Sequence, residues 1–135
     1  MAKTAVVYWS GTGHTQAMAE AIAQAAGATL FTASEFSGDK VEGYDAIAFG
    51  CPSMGAEELE DAEFAPMFED VKPYLNGKKI ALFGSYGWGD GEWMRTWEAD
   101  CIALGAVMAA DYVIANEEPD ADAIARCEAL GKALL

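Results

Sequence analysis

The stretch that decides the fold is "YWSGTGHTQAMAEAIAQ", residues 8–24. An apolar run, Ala5-Val6-Val7-Tyr8-Trp9, breaks abruptly into Ser10-Gly11-Thr12-Gly13-His14-Thr15 and then turns alanine-rich. Such a run reads as a strand buried on both faces. Past Thr15 the spacing becomes helical: Met18, Ala19, Ile22 and Ala25 or Ala26 recur on one face, while Gln16, Glu20 and Gln24 hold another. Gly27 is a fitting stop, because a left-handed cap residue costs glycine little. Between strand and helix lie three hydroxyls and two glycines. At a helix N-terminus, unpaired backbone N–H groups and the helix dipole favour an anion, and glycine lets the backbone approach it closely. No Gly-Lys-Ser/Thr follows, and Gln16 stands where a Gly-x-Gly-x-x-Gly motif needs its third glycine. With no Lys or Arg in the loop, a phosphate there is held by hydroxyls and amides. That suits a cofactor monophosphate held in place better than a phosphoryl group in transfer. A capped turn without ligand is the plain alternative for this loop taken alone.

Working outward, the same alternation repeats. Apolar, β-branched or aromatic runs fall at residues 5–9, 29–32, 46–50, 80–84 and 107–114, and segments of helical spacing at 15–26, 62–74, 92–104 and 121–135. Strands of continuous apolar character alternating with helices predict a parallel sheet covered on both faces, hence a three-layer, doubly wound α/β domain with five strands. Right-handed crossovers then bring every strand-to-helix loop to the carboxyl edge of the sheet. Three of those loops are unusual, at residues 10–15, 51–63 and 85–92, and the topology makes them converge.

The bulk properties narrow the chemistry. At 135 residues, 53% apolar and 22% charged, the chain fits a single domain spanning 1–135 with a real core. No apolar segment approaches the roughly 20 residues of a membrane span, and the N-terminal run has no cleavage pattern, which argues for the cytoplasm. Twenty-two acidic against 8 basic residues give a net charge of −14. Phosphate backbones and anionic membranes are disfavoured as partners, and basic partner proteins are favoured. Solubility alone also accounts for such a charge. Three widely spaced cysteines, Cys51, Cys101 and Cys127, with the single His14, assemble no zinc or iron–sulfur ligand set and read as reduced, mostly buried thiols.

The second loop begins Cys51-Pro52-Ser53-Met54-Gly55 and continues Ala56-Glu57-Glu58-Leu59; the third is "GSYGWGDGEW", Gly84 to Trp93. Trp88, among glycines at a loop tip, has little core to join and suits stacking on a planar ligand. Met54 offers a polarizable thioether for the opposite face, and Glu57 an acceptor for a ring N–H. A phosphate clamp, two apolar walls and an acceptor together describe a site for a phosphorylated aromatic heterocycle.

In order and spacing, "VVYWSGTGHT", "GCPSMGAEELED" and "LFGSYGWGDGEWM" resemble the cofactor loops of the flavodoxins, most closely the short-chain, clostridial type. The resemblance implies the strand order 2-1-3-4-5 with flavin mononucleotide (FMN) at the switch point, an arrangement for which flavodoxin is itself a standard example. It also implies that Ser10, Gly11, Thr12, Gly13, His14 and Thr15 hold the phosphate. Met54, Gly55 and Ala56 would face the isoalloxazine, with the Glu57 carboxylate on its N3, and Ser53 would also belong to the cofactor site. Trp88 would stack on the outer face, framed by Ser85, Tyr86, Gly87 and Gly89. Three positions depart from common family choices: His14 for asparagine, Ala56 for a polar residue or glycine, and Pro52 for serine. The family's peptide flip on one-electron reduction would fall at Gly55–Ala56, where a positive φ suits glycine and is resisted by alanine.

The implied function is low-potential, one-electron transfer between redox enzymes by a monomeric carrier without substrate turnover of its own. Its partners would be basic-surfaced reductases and ferredoxin-dependent oxidoreductases. Glu57, Glu58, Glu60, Asp61, Asp90 and Glu92 are expected around the ring, where they disfavour a negatively charged reduced flavin; Glu60 and Asp61 serve equally well as a solvated face. The alternative is a small FMN-dependent NAD(P)H or quinone reductase, against which stand the short chain and the lack of a second nucleotide site or basic patch.

Overall fold

The computed structural model describes residues 3–54, 58–87, 89 and 91–135. Strands β1 (Thr4–Tyr8), β2 (Thr29–Thr32), β3 (Ala46–Gly50) and β4 (Lys79–Tyr86) pair in parallel in the order β2-β1-β3-β4. Every residue of β1 and β3 is buried, as their unbroken apolar sequences require of central strands. β2, at the edge, leaves three of its four residues exposed.

The fifth position of the sheet differs from expectation. The apolar run at 107–114 is two strands, β5 (Val107–Met108) and β6 (Val113–Asn116), both parallel to β4. Met108 stands opposite Ile80 and Val113 opposite Phe83, so five steps along one chain match three along the other. Two residues bulge out, in a segment that includes the exposed Asp111. Because the excess is even, the inside–outside alternation survives: Met108 and Ile114 pack on one face of the sheet, Val113 and Ala115 on the other.

Helices cover both faces. α1 (His14–Ala26) and α4 (Ala121–Ala133) lie on one, their Met18, Ile22, Cys127 and Leu130 packing against Val6, Ala46, Ala48 and Ala81. α2 (Phe64–Val71) and α3 (Glu92–Ala103) lie on the other, where Phe64, Phe68, Trp93 and Trp97 meet Val7, Ile47, Phe49 and Leu82. The three alanines Ala46, Ala48 and Ala81 face α1 and α4 beside Phe83, whereas Ile47, Phe49 and Leu82 face the aromatic helices. α2 is shorter than the helical pattern at 62–74: a 3-10 turn, Lys72–Tyr74, takes over where Pro73 has no N–H to continue the α ladder. Cys51, Cys101 and Cys127 are all buried free thiols.

Candidate functional site

The carboxyl edge gathers the loops around a cavity of about 400 Å³, lined by Trp9, Gly11, Thr12, His14, Pro52, Ser53, Met54, Ser85, Tyr86, Gly87 and Glu117. The first loop ends in Gly13 at φ +93°, a left-handed conformation that only glycine takes cheaply, and this turn swings the chain into α1. The Gly13 N–H donates to Ser10 Oγ at 3.0 Å. Among the described residues, nothing accepts a hydrogen bond from the backbone N–H groups of His14, Thr15 or Gln16, and the first turn of α1 carries no acidic residue. The open N-terminus inferred from the sequence is therefore present at the cavity.

Thr15 lies beneath the loop, fully buried. Its Oγ1 is 3.0 Å from Ser85 Oγ and accepts the Ser85 N–H at 3.4 Å. The Ser53 N–H in turn donates to the Ser85 carbonyl at 2.9 Å. Ser85 at the end of β4 thereby ties all three loops together. Gly84 makes this approach possible, since a Cβ there would sit 2.2 Å from the Cys51 carbonyl oxygen. Tyr86 packs on Trp93 with ring centroids 5.5 Å apart, and Trp93 Nε1 donates to the Cys51 carbonyl at 3.3 Å. Ser53 Oγ is buried and has no protein partner among the described residues.

The second loop leaves at Met54 and returns at Glu58 through two backbone hydrogen bonds of 2.9 Å. Gly55, Ala56 and Glu57 between them, and Trp88 and Asp90 in the third loop, lie outside the described residues, so the ring acceptor, the stacking indole and the flipping peptide are not placed. Gly89 is exposed and does not line the cavity. Ser10 instead lines a smaller crevice of about 240 Å³ with Gln16, Thr32 and Glu63.

Glu60 departs from the expectation of a carboxylate around the ring or on a solvated face. It is 5% exposed, and its carboxylate accepts the N–H groups of Ala62 at 2.7 Å and of Glu63 and Phe64 at 2.8 Å, closing the start of α2. Burial pushes its pKa up, but the three backbone donors outweigh burial and hold it below the usual carboxylate value. Glu58, Asp61 and Glu92 are exposed. The Cys51 thiol, which accepts the Glu60 N–H at 3.3 Å, is pushed up to about 12 by burial and stays protonated.

Three lining residues escaped the sequence reading. Trp9 ends the first apolar run and reads as strand; its Nε1 donates to Glu63 Oε2 at 2.9 Å, and its ring is a cavity wall. Pro52, which has no hydroxyl to offer a ligand, is the second. Glu117 comes from a fourth connection, after β6, that the unbroken run at 107–114 concealed. It takes φ +57°, rare for a non-glycine residue, and its N–H donates to the Tyr86 carbonyl at 2.7 Å.

A doubly wound domain with its cavity at the carboxyl edge, joining an open helix N-terminus to aromatic and thioether walls, defines a nucleotide-cofactor protein. Comparison with known proteins makes this specific. The flavodoxin family model matches residues 6–130, and the chain belongs to that family. It is 47% identical to the flavodoxin of Megasphaera elsdenii and 43% identical to that of Clostridium beijerinckii, covering 95% and 94% of this chain and 95% of each relative. The solution structure of two-electron reduced Megasphaera elsdenii flavodoxin superposes with a TM-score of 0.88 at 44% identity, over 97% of both chains. Flavodoxins are FMN-bound carriers that pass electrons to redox enzymes and turn over no substrate of their own. Among the described residues, no helix is long and apolar enough to cross a membrane.

Proposed function

We propose that this chain is a cytoplasmic, monomeric, low-potential electron carrier whose phosphate subsite is residues 10–15 and whose ring subsite lies between residues 53–57 and 85–89. The observation that carries the reading is the continuity of one cavity from the open N-terminus of α1 to the apolar walls of Trp9, Met54 and Tyr86. The residues fit the group. A dianionic phosphate supplies the acceptors that His14, Thr15 and Gln16 lack, and it sits in the positive end of the helix dipole. The orphaned Ser53 Oγ gains a polar partner, which a buried hydroxyl requires.

When bound, FMN supplies the one-electron chemistry; the chain supplies position and field. Thr12 and the loop amides bind the phosphate, and the Thr15–Ser85–Ser53 linkage sets the phosphate loop against the ring loop. Trp9, Met54 and Tyr86 would cover the part of the ring they line from water. Glu57, Glu58, Asp61, Asp90 and Glu92, with a net charge of −14, hold the site at negative potential. Addition of an electron is thereby disfavoured, and the reduced protein is a strong donor. The same charge steers basic redox enzymes toward the exposed edge, with a reach of about one Debye length, ~10 Å at 0.1 M salt.

The experiment is a fluorescence-quenching titration of the apoprotein with FMN and with riboflavin. The expected outcome is binding of FMN tighter by roughly 10³-fold or more, because several charge-assisted hydrogen bonds at ~1.5–3 kcal/mol each are lost with the phosphate. Equal dissociation constants would overturn the assignment.

A further inference from the structure

Glu60 stands outside the phosphate loop yet is connected to both walls of the cavity. Its buried carboxylate takes three backbone N–H groups, of Ala62, Glu63 and Phe64. Its own N–H is fixed on Cys51 Sγ, and it lies two residues past Glu58, whose backbone pairs with Met54. On the other side, Glu63, whose N–H is held by Glu60, presents Oε2 to Trp9 Nε1. Trp9 and Met54 are both walls of the cavity.

We propose that Glu60 is a positioning residue for FMN: through its grip on residues 62–64 it fixes the landing of the 54–58 turn and, by way of Glu63, the orientation of Trp9. The chemistry requires a carboxylate. Two ionised oxygens offer about four acceptor sites and meet three convergent N–H donors without repulsion. Glutamine offers one oxygen and turns an NH2 group toward donors. The position also takes little from solvent, so its hydrogen bonds are not exchanged for water at low cost. This inference rests on the FMN reading above.

Positioning and charge are separated by the sign of the effect. A carboxylate acting only as charge repels a phosphate dianion, so its removal tightens FMN. A carboxylate acting by position weakens FMN when removed. The test titrates wild type and Glu60→Gln apoprotein with FMN, and follows the first one-electron potential of each holoprotein. The expected result is FMN binding at least tenfold weaker in Glu60→Gln. The first potential should move by at least about threefold in its equilibrium, roughly 28 mV at 59 mV per tenfold, and Glu60→Asp should recover part of both. A variant that loses thermal stability while FMN affinity stays the same or tightens overturns the inference and leaves the function standing. Wild type that fails to bind FMN instead removes the function itself, and this inference with it. Should Glu60→Gln not fold, amide exchange on the unmodified protein decides. Adding FMN is expected to slow the amides of Glu58, Ala62, Glu63 and Phe64 together; slowing of Glu58 alone overturns the proposal.

Discussion

Two helix N-termini open at the same edge of the sheet, and the chain treats them oppositely. At α2, Glu60 reaches forward from the preceding loop and its carboxylate satisfies the N–H groups of Ala62, Glu63 and Phe64. At α1, a glycine stands at the cap position, the first turn has no acid, and the N–H groups of His14, Thr15 and Gln16 find no acceptor among the described residues. Every α-helix begins with about four unsatisfied donors. Withholding an internal acceptor at α1 is what the proposed phosphate subsite requires; α3 also starts at a glycine without a side-chain cap, but it carries Glu92 in its first turn where α1 carries no acid. The first helix pays in stability for its open end, and the second is anchored so that the site beside it holds its shape.

The comparison breaks most visibly if α1 is closed in the manner of α2. Ser10→Asp places a carboxylate where Ser10 Oγ already accepts the Gly13 N–H. FMN binding is expected to fall by about 100-fold or more, ~2.8 kcal/mol at 1.4 kcal/mol per tenfold, because the new charge faces the phosphate. The apoprotein should gain ~0.3–1 kcal/mol from the helix dipole in urea unfolding. Unchanged FMN affinity would show that the open end of α1 is not the phosphate subsite.

The next effect opens α2 in the manner of α1. Glu60→Gln should cost the apoprotein ~1.5–3 kcal/mol, the range for hydrogen bonds to a charged group. The depressed pKa of Glu60 gives this contribution a pH dependence whose sign is fixed. The unfolded chain takes up the proton first as pH falls, so the stabilisation is complete above the ordinary carboxylate value of 4.5 and is lost as pH drops through the lower folded value. Urea unfolding of wild type and variant should differ at neutral pH and converge in acid; a constant difference across that range contradicts the capping role.

A smaller effect compares two hydroxyls of the first loop. Thr12 is exposed at the cavity and Thr15 is buried on Ser85. Thr12→Ala should weaken FMN by ~1–3 kcal/mol and leave apoprotein stability within ~0.5 kcal/mol of wild type, whereas Thr15→Ala should also cost ~1 kcal/mol of stability. Equal stability losses in the two variants would mean that Thr12 is structural too. The smallest effect is at His14, which lines the cavity at the head of α1. His14→Asn should change FMN affinity by a few-fold at most, as a pair of titrations of the two apoproteins at neutral pH would read.

The sequence by itself determined the doubly wound sheet, because burial of β1, β3 and β4 on both faces demands unbroken apolar runs such as Ala5-Val6-Val7, and the amphipathic spacing of Met18, Ala19 and Ile22 is equally local. The proposal of an anion loop likewise comes from the sequence: hydroxyls and glycines before a helix carry their chemistry within six residues. Only the tertiary structure decided the rest. The run at 107–114 looks continuous to periodicity, yet the partner strand β4 offers three steps where the chain has five, so it splits and brings Glu117 to the cavity. Thr15 meets Ser85 across 70 residues of chain and Trp9 meets Glu63 across 54, distances at which local pattern carries no information. Glu60 is the clearest case. In sequence it is one of several acids in a polar loop and reads equally as a ring-side or a solvated carboxylate; in the fold, Cys51 behind it and three N–H groups before it turn the same carboxylate into a buried acceptor. A charged side chain's role depends on which donors surround it and how much water they exclude, and those are set by the packing of elements far apart in the chain.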